Sequence, residues 1–205
     1  QNKKDSAKSN AAPGSKLTTL MQTFSVGHPR IDVWDMFQNI EHVATCLPGA
    51  SITEPPVDGH IKGAITIKLG PIRTNFAGEA DIKTDTATFT GNISGYGLDS
   101  GHSSRARGEV TYVLSETDDG RSTKVNVEVA FALSGTLAQF SRGGIVKSVA
   151  DKLTQTFAAN LESVMSGGDD TLPSPDPGEL DMGNLVFSVI WSQIKSIFNF
   201  LRRKP

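Results

Sequence analysis

The chain has 205 residues, a formal net charge of −2 and a mean hydropathy of −0.22. That length suits one domain with additional segments, because most domains contain about 100–150 residues. The near-zero charge argues against general nucleic-acid binding, which leaves a strongly basic footprint. The single cysteine, Cys46, excludes an internal disulfide, and also an iron–sulfur cluster or an all-cysteine zinc site held by this chain alone.

The composition divides the chain into four segments. Residues 1–16 hold no large apolar residue and predict a disordered leader or an interdomain linker, with a cloning remnant as the alternative. Residues 17–166 show dense, periodic apolar residues and predict the folded domain. Residues 167–183 contain three prolines, four glycines and five acidic residues, which predicts a flexible acidic linker. Residues 184–205 turn abruptly apolar and end on basic residues.

Apolar and polar residues alternate through the middle of the domain. The alternation runs through 61–69, 72–82, 87–95, 104–114 and 123–133. Turn residues, such as those of Asp118-Asp119-Gly120, separate the stretches. This pattern predicts an antiparallel meander with one face in water and one face covered.

Two helical patterns flank the strands. Pro29 can open a helix through 30–46, which Leu47-Pro48-Gly49 ends. A second helix is predicted from about Leu137 to Met165. The expected fold is α+β: a curved antiparallel sheet wrapped around one long C-terminal helix, which buries both apolar faces.

The covered face of the predicted sheet carries many small residues. They are Gly63, Gly78, Ala80, Gly91, Gly95, Ala106 and Gly108. Either the long helix lies very close to the sheet there or a cavity remains, and their spread over four strands favours the cavity. A cavity with aliphatic and aromatic walls stays dry and binds an apolar ligand.

The residues expected to line this cavity are mostly aromatic. They are Trp34, Phe76, Phe89, Tyr96, Tyr112, Phe131, Phe140, Val149, Leu153 and Phe157. For Tyr96, the glycines on either side predict a β-bulge that lets its side chain change face.

Two glycines near the start of the long helix suggest a gate. Gly143 and Gly144 permit a kink at the mouth of the cavity, and the alternative is a late helix start. Arg142 stands beside them, where it would meet a polar ligand head or a partner carboxylate, or simply lie on the surface.

Several motifs resemble the CoxG family, named for a subunit of carbon monoxide dehydrogenase. They are V-W-D-M-F-Q-N and C-L-P-G-A within 24–50, L-G-P-I-R-T-N-F-A-G (69–78), S-G-T-L-A-Q-F-S-R-G-G-I-V (134–146) and F-A-A-N-L (157–161). The resemblance implies a helix-grip, START-like fold. It also implies a lipophilic-ligand domain that serves molybdenum-containing hydroxylases of the carbon monoxide dehydrogenase and xanthine dehydrogenase type, holds them at the membrane and handles quinone. The expected ligand is a non-covalent quinone such as menaquinone, with no covalent cofactor and no metal.

The C-terminal tail reads as an amphipathic helix. Residues 185–201 place an apolar arc of roughly 140° opposite a polar side that includes Lys195. At ~1.5 Å per residue this helix is marginal for crossing a bilayer, so we predict that it lies in the interface on the inner face of the cell membrane. Docking on the protein itself or on a partner, and a true span, are the alternatives. The expected membrane-binding residues are Phe187, Ile190, Trp191, Ile194, Phe198, Leu201, Arg202, Arg203 and Lys204.

The sequence shows no Ser-His-Asp, H-E-x-x-H, P-loop or paired-cysteine signature. We therefore expect no catalytic residues, and a carrier that passes quinone between the membrane and a partner molybdenum hydroxylase. One alternative is a structural membrane module whose interior is filled by side chains. The other is a cyclase or aromatase-like enzyme, for which the inner face offers Tyr112 but no carboxylate or histidine.

Overall fold

The computed structural model describes residues 17–142 and 144–168, without the side chain of Arg142. The predicted leader, nearly all of the predicted acidic linker and the predicted amphipathic tail lie outside this part of the chain. The strands are β1 (Thr18–Val26), β2 (Ala50–Val57), β3 (His60–Leu69), β4 (Ile72–Asp85), β5 (Thr90–Asp99), β6 (Ser104–Thr117) and β7 (Ser122–Ser134). The α-helices are α1 (Arg30–Gln38), α2 (Ile40–Cys46) and α3 (Gly144–Met165).

All seven strands form one antiparallel sheet in the order β1-β7-β6-β5-β4-β3-β2. Short turns join the consecutive strands from β2 to β7, as the alternating pattern predicts. Asp58 and Gly59, for example, both have positive φ between β2 and β3. Strand β2 lies at the edge of the sheet, which accommodates Pro55 and Pro56 because neither residue can donate a ladder hydrogen bond.

The predicted helix over 30–46 is two helices. Asn39 interrupts it with φ −89° and ψ 85°, and its side-chain oxygen accepts a hydrogen bond of 3.1 Å from the His42 amide. Asparagine commonly begins a helix in this way, because its side chain satisfies an amide that has no partner within the helix.

The second helix begins later than predicted. Residues Gly135–Arg142 form a 3-10 helix, and the α-helix starts at Gly144. Glycine has low α-helix propensity, so the Gly143-Gly144 pair is a natural boundary between the two. The inward stripe of α3 consists of Val149, Leu153, Phe157 and Leu161, which are all partly or fully buried.

The buried core consists of two clusters at opposite ends of the sheet. The first surrounds Trp34, Tyr112 and Leu161 and is continued by Phe24, Phe37, Phe89 and Phe157. The second surrounds Leu69, Phe76 and Leu137 and is continued by Phe140 and Val149. Helix α3 contributes to both clusters, with Val149 at one end and Phe157 and Leu161 at the other.

Candidate functional site

Between the two clusters, the inner face of the sheet carries apolar side chains that are only partly buried. We call these residues the inner band: Ile61, Ile82, Val110, Val129 and Phe131 on the strands, and Leu153 on α3. Leu153 follows Val149 by four positions and precedes Phe157 by four, so all three share one helix face. Leu153 therefore lies between the helix positions that close the two clusters. This partial exposure leaves apolar surface between the sheet and α3 that a ligand would cover, and we call this region the groove.

The glycines next to the inner band have a different role from the one that the sequence suggests. A methyl group on Gly78 would collide with the backbone of Tyr96, and one on Gly91 would collide with the Tyr112 ring. On Gly63 it would lie 2.5 Å from the carbonyl oxygen of Ser51. These glycines let neighbouring strands and a ring approach closely, so they mark neither a void nor close contact with α3. Gly108 is the exception, since its nearest such neighbour is the Ala130 oxygen at 3.8 Å.

Aromatic side chains fill one end of the groove. Trp34 packs edge-on against Phe89 with ring centroids 5.4 Å apart, and Phe37 lies 5.1 Å from Tyr112 in the same way. The Arg30 guanidinium stacks over the Phe89 ring at 4.0 Å. Burial raises the pKa of the Tyr112 phenol. Four of the predicted ligand-binding residues therefore form this packed end of the groove: Trp34, Phe89, Tyr112 and Phe157.

The opposite end is closed by the second cluster. Phe76 is buried there, with Phe140 from the 3-10 helix and Val149 from α3 packed against the cluster. Phe131 and Leu153 are the two predicted ligand-binding residues that lie in the inner band itself. The structure therefore arranges nine of the ten predicted residues as two ends and a middle.

Tyr96 is the tenth, and its predicted position is wrong. Strand β5 pairs without a bulge, with Tyr96 opposite Glu79 on one side and Arg107 on the other. Its side chain is 56% exposed on the outer face of the sheet, where its hydroxyl donates a 3.0 Å hydrogen bond to Glu79. Glycines on both sides of a tyrosine do not change the period-two alternation of a regularly paired strand.

A buried polar cluster ties the β5–β6 turn to the 3-10 helix. The Asp99 carboxylate is 5% exposed and accepts hydrogen bonds from the Thr74 hydroxyl, from the Gly101 amide at 2.8 Å and from His102 Nδ1 at 2.8 Å. Ser104 Oγ accepts a 3.0 Å hydrogen bond from the Leu137 amide.

These hydrogen bonds set the charge state of Asp99. Burial alone raises the pKa of this carboxyl, but the hydrogen bonds from Thr74, His102 and Gly101 outweigh burial, so the pKa lies below its ordinary value. Sequence reasoning missed the cluster because Thr74 is 25 residues from Asp99. The local signal was Asp99 followed by Gly101, a spacing typical of a side chain that accepts from the amide two residues on.

The predicted gate is described only in part. Gly144 is the exposed first residue of α3, and among the described residues outside its own helical turn no atom lies within 4 Å of the position that its Cβ would take. Gly143 and the side chain of Arg142 lie outside the described residues, as does the whole predicted membrane-binding set. The role of this segment as a gate stays a prediction.

A separate pocket of about 350 Å³ opens between α2 and β2. Its walls include Glu41, Thr45, Ile52 and Pro55, and none of the predicted ligand-binding residues lines it. Within residues 17–142 and 144–168, no group of three or more His, Cys, Asp or Glu side chains is placed to hold a metal ion. In the same part of the chain, no helix combines the length and the hydropathy needed to cross a bilayer.

Comparisons with known proteins agree with this architecture. The family model of the CoxG subunit of carbon monoxide dehydrogenase matches residues 23–166. A conserved protein from Geobacillus kaustophilus superposes with a TM-score of 0.63 at 12% identity, covering 73% of this chain and 96% of its own. The Zhui aromatase/cyclase from Streptomyces sp. R1128 gives 0.52 at 14% identity, covering 75% of this chain and 100% of its own.

A third solved structure, TTHA0849 from Thermus thermophilus, gives a TM-score of 0.54 at 12% identity, covering 73% of this chain and 98% of its own. At such identities these likenesses show the fold alone. The curved seven-stranded sheet with its C-terminal helix is a helix-grip, START-like fold, as the sequence resemblance implies. No curated protein sequence matches this chain.

Proposed function

The chain belongs to the CoxG family of carbon monoxide dehydrogenase subunits, and from that premise we propose that it is a non-catalytic carrier of a lipophilic molecule. The partner is a molybdenum-containing hydroxylase of the carbon monoxide dehydrogenase or xanthine dehydrogenase type. The proposed ligand is a quinone, menaquinone in particular, held without a covalent bond. The carrier works at the inner face of the cell membrane, and its amphipathic tail holds it there.

The inner band is the observation that carries this proposal. Its side chains are apolar and partly exposed, and they lie between the two packed clusters. A flat apolar ligand would remove this surface from water, at about 25 cal/mol per Å² of buried apolar area. Gly108 lies on the same face with free space above its Cα, which leaves room for a ring to approach the sheet.

The titratable groups near the groove favour a carrier over an enzyme. Asp99 and His102 bind each other, and Asp99 also holds Thr74 and Gly101 in place. Tyr112 is buried among Trp34 and Phe37. A general acid or base needs a free site within hydrogen-bond reach of the substrate, and the Asp99 carboxylate already accepts from three donors.

Extraction of the purified protein tests the proposal. Organic extraction of full-length protein from native membranes, followed by mass spectrometry, should release a quinone in close to stoichiometric amount. The matched control is the Leu153→Trp variant, in which a bulky indole occupies the middle of the inner band. Equal amounts of quinone from both proteins, or none from wild type, would count against the carrier and favour a structural membrane module.

A further inference from the structure

The outer face of the sheet bears a patch that the carrier function does not use. Its members are Tyr96 and Leu98 on β5 and Arg105 and Arg107 on β6, and we call them the outer patch. Tyr96 is 56% exposed and Leu98 is 51% exposed, and both arginines are exposed as well. Single exposed apolar side chains are common on protein surfaces, but here two of them are neighbours of two arginines on a regular sheet face.

The register of the strands makes these four residues direct neighbours. Leu98 pairs with Arg105, and Tyr96 pairs with Arg107. Cross-strand pairs place their Cβ atoms about 5 Å apart, so the patch is contiguous. At the borders of the patch, Ala77 lies beside Leu98 and Ala132 lies beside Arg107, while Glu79 lies beside Tyr96 and accepts the hydrogen bond of its hydroxyl. The result is a flat surface that is suited to another flat surface.

The two arginines have no acidic partner within the part of the chain that the structure describes. Elsewhere on the same face, Lys62 binds Glu54 at 2.8 Å and His60 binds Asp81 at 2.9 Å. Glu109 lies two residues beyond Arg107 on the outer face but forms no ion pair with it in this region. Arg105 and Arg107 therefore present two unpaired guanidinium groups next to exposed apolar side chains.

We propose that the outer patch is the surface by which this protein docks on an acidic surface of its partner enzyme. Tyrosine and arginine are the residue types most enriched among those that dominate protein–protein binding. A guanidinium donates two parallel hydrogen bonds to a carboxylate, and this bidentate geometry gives both orientation and affinity. A bilayer fits less well, because these side chains stand in a flat row in the middle of a sheet face and cannot insert between lipids.

The outer patch does not overlap the groove. The patch lies on the face of the sheet opposite the inner band, because alternate residues along β5 and β6 point to opposite faces. A partner bound to the outer patch would leave the groove between the sheet and α3 open to a ligand. This inference rests on the proposed function, since it assigns a docking surface to the same partner.

A double charge reversal tests the proposal. Arg105→Glu combined with Arg107→Glu should weaken the binding of full-length protein to the purified carbon monoxide dehydrogenase holoenzyme by at least about tenfold, measured by biolayer interferometry. The matched control is Lys83→Glu combined with Lys124→Glu, which makes the same charge change at exposed positions of the same face. This control should bind within about twofold of wild type, because neither lysine borders the outer patch.

Leu98→Asp serves as a second variant and should also weaken binding, because it places a charge in the centre of the patch. Unchanged binding of the arginine variant, no binding of wild type, or a loss equal to that of the lysine control would overturn the proposal. If the arginine variant keeps its binding to the enzyme and loses only its binding to vesicles of anionic phosphatidylglycerol, the proposal is overturned in favour of a membrane surface. Quinone titration of the same variants should match wild type. If wild type and variants alike fail to bind quinone, that result counts against the carrier and not against the docking surface.

Discussion

Gly78 and Gly108 lie on the same face of the sheet, but their surroundings differ. A side chain at Gly78 meets the backbone of Tyr96 and Gly97 on the neighbouring strand, whereas a side chain at Gly108 meets only the Ala130 oxygen at ordinary contact distance. Backbone atoms of a paired strand cannot move aside as the end of a flexible side chain can. The two positions therefore separate a glycine that the strand spacing requires from one that borders free space.

We predict that Gly78→Ala lowers the free energy of unfolding by about 1–3 kcal/mol, the range typical of overpacking. Gly108→Ala should change it by less than about 1 kcal/mol, because the added methyl meets no atom at close range. Urea denaturation of both variants measures the difference. Equal destabilisation of the two variants would contradict the explanation from strand spacing.

Asp99 illustrates how a single buried carboxylate organises a loop. Its two oxygens accept from one donor on β4 and two donors in the β5–β6 turn, and Ser104 links that turn to Leu137 in the 3-10 helix. Removal of the charged acceptor leaves buried donors without a partner, which costs about 1–3 kcal/mol.

We predict that Asp99→Asn destabilises the domain by that amount at pH 7, and that the effect depends on pH. The folded pKa of Asp99 lies below its ordinary value of 3.8, so the stabilisation is fully present above pH 3.8 and is lost as the pH falls through the folded pKa. Urea denaturation across pH 7 to 2 should show that the gap between the free energies of unfolding of wild type and variant closes at the acid end. Glu128→Gln, at an exposed position of β7, is the control, and a gap independent of pH would contradict the prediction.

At the scale of elements, α3 is buried most deeply near its C-terminal end. Leu161 is fully buried in the first cluster, whereas Leu153 is partly exposed between the clusters. The same substitution at the two positions therefore reports whether the middle of the groove is filled.

We predict that Leu161→Trp lowers the free energy of unfolding by about 1–3 kcal/mol, because the added atoms have no space. Leu153→Trp should change it by less than about 1 kcal/mol, because the indole extends into the unfilled groove. Thermal and urea denaturation measure both. Similar losses at the two positions would show that side chains fill the interior, as the structural-module alternative requires.

The elements that the sequence predicts well are those with a local signal. Val125, Val127 and Val129 predict a strand with one covered face, and Val149, Leu153 and Phe157 predict the inward stripe of α3. The elements that it misses depend on single residues or on distant partners. Asn39 divides one predicted helix into two through its own backbone and cap. Phe89 takes a positive φ of 50°, so β5 begins at Thr90 and not at residue 87, where the predicted stretch begins.

The candidate site follows the same rule. The residue types of the groove were predictable from alternation, but the division of its lining into two packed ends and an inner band was not, because it depends on which distant side chains meet. Tyr96 shows the limit of local reasoning, since cross-strand pairing with Glu79 and Arg107 decides its face.

At the scale of the whole molecule, charge is distributed unevenly along the chain. Residues 167–183 carry a net charge of −5 and residues 184–205 carry +4, whereas the total is −2. Each basic residue near an anionic leaflet contributes about 1 kcal/mol of attraction, and an acidic linker is repelled from the same leaflet. This pattern favours a domain that is held at a membrane through its tail.

We predict that deletion of residues 184–205 abolishes flotation with liposomes that contain anionic phospholipid, because the apolar arc and the terminal basic residues are lost together. The truncated protein should unfold at the same temperature as the full chain, since the deletion lies outside residues 17–168. Flotation of the truncated protein to the same extent as the full chain would contradict the role of the tail.

The proposal that a lipophile binds between the sheet and α3 has one most direct measurement. Titration of purified wild-type protein with a short-chain menaquinone, followed by quenching of tryptophan fluorescence, should saturate at one quinone per chain. Leu153→Trp should fail to bind, whereas Met21→Trp, which adds an indole at a site that is 66% exposed on the outer face of β1, should bind as wild type does. No saturable binding by wild type, or equal binding by the Leu153→Trp variant, would contradict the proposal.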